Sequence, residues 1–256
     1  MSFLSELLAS TRVRVEEARA KLSDVALEQR IASIPPALDF AGTLRGDELS
    51  FIAEIKRATP SKGPLDLDLD AGGLAAAYAK GGAAAISVLT EPEYFKGSLE
   101  DLEAARVVPV PLLRKDFVID PFQLLEARAA GADSVLLIVR VVGDGLAALL
   151  AGARALGMEP LVEVFHEDEV ERAVDAGANV IGINHRDLES FEVDARRTAK
   201  LAPLVPEGVL VVAASGVSTR TEVEELRAAG AHAVLVGESL VRAQDPAAKL
   251  RELRGL

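Results

Sequence analysis

A short pattern recurs four times along the chain: Gly82-Ala83-Ala84-Ala85-Ile86, Gly131-Ala132-Asp133-Ser134-Val135, Gly177-Ala178-Asn179-Val180-Ile181 and Gly230-Ala231-His232-Ala233-Val234. Each copy follows an Ala-rich helical stretch and opens an apolar run. The glycine reads as a helix C-cap in the left-handed region, and the run after it as a strand buried on both faces. A spacing close to fifty residues is too long for one strand–helix unit and right for two. A second apolar run lies in each interval: Ser50-Phe51-Ile52-Ala53-Glu54-Ile55, Val110-Pro111-Leu112-Leu113, Pro160-Leu161-Val162-Glu163-Val164 and Val209-Leu210-Val211-Val212-Ala213. Eight strands alternating with helices imply a parallel sheet, and eight units in about 200 residues imply a closed (β/α)8 TIM barrel of the α/β class. An open doubly wound sheet is the rival, but no Gly-x-Gly-x-x-Gly follows the first strand. The predicted organisation is one domain over 1–256, with an N-terminal helical extension (1–48) ahead of the barrel (49–256). The extension reads as helices at 3–21 and 25–32, followed by a Pro35-Pro36 break. It either caps the barrel's active face or packs outside as extra core.

Composition narrows the chemistry. There is no cysteine, which excludes disulfides, thiolate catalysis and Cys-ligated metals, and three histidines make a multi-His zinc site a poor expectation. A net charge of −12 is the wrong sign for nucleic acid, and only 4% of residues are aromatic, with no Trp to stack on bases. No apolar run has the length of a membrane span, and the N-terminal residues read as the start of a helix rather than a secretory leader. The expectation is a cytoplasmic protein with no membrane or nucleic-acid partner. An anionic small-molecule substrate would need a cationic pocket within this acidic chain.

In a barrel the chemistry stands at the C-terminal ends of the strands. The first strand ends in Glu54-Ile55-Lys56, and alternation puts Glu54 and Lys56 on one face. They either plug the barrel as an ion pair or stand at a reactive mouth. Lys115 ends the third strand, and Arg140 is read as the end of the fourth. Glu163 interrupts an apolar run, where an unpaired carboxylate is costly unless it has a partner or a task. Asn184 and Arg186 share a face at the end of the sixth strand, and Arg suits bidentate capture of a carboxylate unless Asp187 or Glu189 claims it. His185, between them, points the other way and reads as packing. Ser215-Gly216 and Gly237-Glu238-Ser239 end strands seven and eight, where such barrels bind phosphate through backbone amides. The run Thr59-Pro60-Ser61-Lys62-Gly63 reads as a long flexible loop, a cover for the ligand or a linker.

Taken together, Ile52-Ala53-Glu54-Ile55-Lys56-Arg57-Ala58-Thr59-Pro60-Ser61-Lys62-Gly63, Ser87-Val88-Leu89-Thr90-Glu91, Leu113-Arg114-Lys115-Asp116-Phe117, Leu161-Val162-Glu163-Val164, Gly182-Ile183-Asn184-His185-Arg186-Asp187-Leu188 and Leu235-Val236-Gly237-Glu238-Ser239-Leu240 resemble the indole-3-glycerol phosphate synthase family over essentially the whole chain. The resemblance implies a cofactor-free and metal-free conversion of 1-(2-carboxyphenylamino)-1-deoxyribulose 5-phosphate to indole-3-glycerol phosphate, with loss of CO2 and water, in tryptophan biosynthesis. It implies Lys115 as general acid and Glu163 as general base. Lys56, Glu54, Asn184 and Arg186 would position the anthranilate end. Ser215, Gly216, Gly237 and Glu238 would hold the phosphate, Ser61 would touch substrate, and Phe95, Phe117, Leu136 and Leu188 would line an aromatic pocket. A monomer is expected. One position departs from the family: Ala214 stands where Glu is usual, which removes a carboxylate from the mouth. Competing readings are a Schiff-base aldolase using Lys115 or Lys56, and a phospho-ligand binder without turnover. A phosphoribosylanthranilate isomerase-type reading lacks its Cys or Asp base on the first strand.

Overall fold

A computed structural model describes residues 2–256. Eight parallel strands close into a barrel: β1 (Ser50–Ile55), β2 (Ala85–Leu89), β3 (Leu112–Lys115), β4 (Ser134–Ile138), β5 (Leu161–Val164), β6 (Val180–Asn184), β7 (Leu210–Ala214) and β8 (Ala233–Val236), with β8 pairing back onto β1. The eight-stranded barrel read from the spacing is therefore the fold. The repeat is its punctuation. Gly82, Gly131, Gly177 and Gly230 all have φ between 82° and 95°. The alanine after each glycine donates its N–H five residues back: Ala83 to Tyr78, Ala132 to Ala127, Ala178 to Ala173 and Ala231 to Leu226. This closing bond needs a left-handed residue, and glycine takes that conformation without a Cβ penalty. The chain is thereby turned straight into the next strand.

Two apolar layers follow from strand alternation. Outward residues such as Phe51, Ala53 and Ile55 pack under the helices, while Ile52, Leu113, Leu136, Leu161, Val212 and Leu235 fill the barrel. Three local readings are corrected. β3 begins at Leu112 rather than Val110, beyond Pro109 and Pro111, which have no N–H to give a ladder. β4 stops at Ile138, and Val139–Val142, with Arg140, is a helical turn. The loop after β1 is not structureless, because Ala58–Thr59 pairs antiparallel with Gly63–Pro64.

The extension comprises α1 (Phe3–Lys21), α2 (Asp24–Ala32) and a short α3 (Phe40–Thr43). Ser2 and Ser23 cap the first two helices by accepting from backbone N–H groups. α1 lies at the C-terminal mouth: Arg14 reaches Asp116 just after β3, and Ser10 donates to Glu93 after β2. The chain then descends the wall beside the helix Pro121–Ala129, with Leu27 packed against Phe122. At the other end Asp133 accepts from Leu38 N–H and Leu112 N–H, and Phe40 and Leu44 join the interior cluster. The extension therefore caps one end of the barrel and plugs the other. Among the described residues no helix is long and apolar enough to cross a membrane.

Candidate active site

The C-terminal mouth holds a cavity of about 410 Å³. Its floor is polar because alternation turns Glu54 of β1 and Lys115 of β3 inward, with Lys56 one pleat above Glu54. Glu54 is buried, with Oε1 2.6 Å from Lys56 Nζ and Oε2 3.8 Å from Lys115 Nζ. One carboxylate thus serves two ammonium groups drawn from different strands. Burial pushes the Glu54 carboxyl up, but Lys56 and Lys115 outweigh it and hold it below the usual carboxylate range. Gly237, after β8, has no room for a side chain: a Cβ there would stand 2.5 Å from Glu54 Oε1 and 3.1 Å from Lys56 Nζ.

Glu163 lies beneath the open cavity rather than on its wall. Burial pushes its carboxyl above the usual range; Lys115, Asn184 and Arg140 oppose the shift, and Glu54 adds to it. Asn184 Oδ1 accepts from Arg186 N–H at 3.0 Å and from Ser215 Oγ at 2.8 Å, which leaves its NH2 as a donor toward the barrel centre. The Arg186 guanidinium donates to the Phe191 carbonyl, and no carboxylate among the described residues pairs with it. Asp187 is turned instead toward Arg140, at 3.5 Å. Arg186 is therefore a cation free to take an anionic ligand.

The cavity wall also carries Ser61, Phe95, Phe117, Leu188, Ser215, Gly216, Gly237, Glu238 and Ala214. Lys62 folds the β1 loop across to Glu238, with Nζ 2.8 Å from Oε1. Leu136 is not on the open cavity wall: it pairs with Leu161, while Ile138 pairs with Glu163, and it packs in the same interior cluster as Phe117, Phe95 and Leu188. Phe3 and Phe191 were not foreseen. Phe3 reaches the cavity from α1 and meets Tyr94 and Phe191 edge to face, with ring centroids 4.8 and 5.0 Å apart. An apolar residue at a helix start gives no local sign of such a role.

With this geometry in hand, the comparisons are specific. A family model described as indole-3-glycerol phosphate synthase matches residues 4–253. An "Indole-3-glycerol phosphate synthase" of Roseiflexus sp. (strain RS-1) is 49% identical, over 99% of this chain and 98% of the relative. "Indole-3-glycerol phosphate synthase 1" of Streptomyces coelicolor is 48% identical, over 99% and 95%. A crystal structure of 3-hexulose-6-phosphate synthase shares the barrel at TM-score 0.64 and 20% identity, covering 81% of this chain and 99% of that one.

Proposed function

The chain belongs to the indole-3-glycerol phosphate synthase family, and on that premise we propose which of its residues carry the reaction. The enzyme is a carboxy-lyase of tryptophan biosynthesis. The observation that carries the assignment is the single buried Glu54 shared by Lys56 and Lys115 at the mouth, beside the uncommitted Arg186. Arg186 takes the substrate carboxylate. Phe95, Phe117 and Leu188 enclose the aromatic ring, and Ser215, Gly216, Gly237 and Glu238 receive the phosphate, the last chiefly through its backbone. With both ends fixed, ring carbon and carbonyl carbon are held in contact, which removes much of the entropic barrier.

Lys115 then donates a proton to the carbonyl oxygen as the carbon–carbon bond forms. The carboxylate leaves as CO2, and its electron pair returns to the ring. In the dehydration Glu163 takes a proton from the carbon between the nitrogen and the hydroxyl-bearing carbon, the new ring double bond forms, and the hydroxyl leaves as water with a proton from one of the two ammonium groups paired with Glu54. A carboxyl held above its usual range is a stronger base when ionised, which suits that step. Lys56 and Lys115 each form an ion pair with Glu54, and the Schiff-base alternative requires one of them as a neutral amine. The proposal is of a cytoplasmic monomer acting as one barrel domain.

Fluorescence-monitored turnover of the carboxyphenylamino-deoxyribulose phosphate tests the assignment. Lys115→Met should bind substrate and lose about 10²–10⁴-fold in kcat, the usual cost of a missing general acid. A kcat within about threefold of the parent would remove Lys115 from the mechanism.

A further inference from the structure

His185 stands between two residues assigned to the substrate, yet, directly after β6, it is turned away from the cavity toward Thr198 and is only 2% exposed. Nδ1 lies 3.0 Å from the Ser215 carbonyl, and Nε2 lies 2.7 Å from Thr198 Oγ1, itself buried. A carbonyl only accepts, so Nδ1 carries the proton and Nε2 receives the Thr198 hydroxyl. The ring is thus fixed at both nitrogens.

Ser215 is one of three non-glycine residues with positive φ among the described residues, at 73°. A side-chain-bearing residue persists in that region only when its surroundings hold it there. Two consecutive residues at the end of β6 do so: Asn184, its last, accepts the Ser215 hydroxyl on the inner face, and His185, the next, donates to the Ser215 carbonyl on the outer face. The Ser215–Gly216 peptide is planar and trans, so its C=O and N–H point in opposite directions. A carbonyl drawn outward to His185 turns the Gly216 N–H inward. Gly216 lines the cavity, and no acceptor among the described residues takes its N–H.

We propose that His185 is a positioning residue for the substrate's phosphate, acting through the Ser215–Gly216 peptide to aim the Gly216 N–H into the barrel mouth. The proposal rests on the phosphate site assigned above. It distinguishes His185 from a packing residue, because a phenyl ring would fill the same space and leave the peptide free to turn.

The test compares the parent with His185→Phe, His185→Asn and Thr198→Val, using steady-state kinetics and inorganic phosphate as a competitive inhibitor. His185→Phe should raise KM and the phosphate inhibition constant together by about tenfold, the scale of one hydrogen bond to a charged group, with a smaller change in kcat. His185→Asn keeps a donor near the Nδ1 position and should return both to within about threefold of the parent. Thr198→Val frees the ring's far nitrogen and should move both in the same direction as Phe, by less; it also serves if the Phe variant fails to fold. If phosphate competes with substrate in the parent but its inhibition constant is unchanged in His185→Phe and Thr198→Val, the proposal is overturned. A fall in kcat alone, with KM and phosphate binding intact, overturns it too, because the ring would then act through Asn184. If phosphate does not compete even in the parent, the phosphate site itself is misassigned, a separate failure.

Discussion

At the scale of the residue, the buried charges of the mouth make opposite demands on the fold. Glu54 is stabilised as an anion by two lysines, whereas burial makes the Glu163 anion costly. A carboxyl whose pKa is raised on folding contributes stability below its unfolded value, and that contribution is lost as pH rises through the folded one. Glu163→Gln removes this loss. It should therefore slow dehydration yet melt progressively higher than the parent as pH is raised from about 5 to 8. Melting curves of both proteins across that range check the sign; a variant uniformly less stable would show that the carboxylate is a satisfied structural group. Ala214 poses the complementary question. It is the last residue of β7, faces the cavity and is level with Asn184 and Leu235. Glu54 binds Lys56 closely and Lys115 only at 3.8 Å, so Lys115 is the less firmly held of the two. A carboxylate restored at this position should orient it better, and orientation counts most at the transition state. Ala214→Glu is expected to raise kcat by something on the order of tenfold with KM little changed. An equal or lower kcat in side-by-side kinetics would mean that Glu54 alone suffices.

At the scale of the element, what was legible and what was not divide by range. The Gly-Ala repeat announced four helix ends and four strand starts because its physics is local: one left-handed residue and one hydrogen bond five residues back. Glu54 with Lys56, and Asn184 with Arg186, were readable because pleat alternation is local too. The depth of Leu136 was not legible, because it depends on the stagger between β4 and β5, which no single strand encodes. The grip of α1 on the barrel was invisible for the same reason. Arg14 forms a bidentate pair with Asp116 across 102 positions, at 3.1 and 3.0 Å. Burial pushes the Asp116 carboxyl up, but Arg114 and Arg14 reverse this and hold it well below the usual range. Arg14→Ala leaves Asp116 buried with Arg114, Thr90 and the Phe117 N–H still in place. The cost should be about 1–3 kcal/mol, less than for a buried pair with no other support. A depressed carboxyl contributes stability above its unfolded pKa and loses it as pH falls through the folded value. Urea unfolding should therefore show a constant deficit down to about pH 5 that shrinks below about pH 4. A deficit independent of pH throughout would assign the effect to the arginine stem's packing.

At the scale of the whole molecule, the chain separates stability from chemistry by the end of the barrel each occupies. The extension starts over the mouth, where Phe3 meets the cavity, and finishes beneath the barrel, where Phe40 and Leu44 close the interior before β1 begins. Ile52, Leu113, Leu136 and Leu161 form the apolar interior between that plug and the Glu54 layer. Phe40 is fully buried, and its ring fills space that the surrounding strands, locked in a closed barrel, cannot collapse to recover. Phe40→Ala should consequently cost about 3–5 kcal/mol. In a chain of this length that lowers the melting temperature by about 10 °C. The same variant should keep kcat and KM within about twofold at 25 °C, since a plug one barrel-length from the lysines touches nothing that moves in the reaction. Lys115→Met should show the reverse, an intact melting curve and no turnover. Thermal melts and kinetics on both proteins decide the point. If Phe40→Ala lowers kcat at a temperature where it is fully folded, the interior layers transmit strain from plug to mouth and the two ends are not independent.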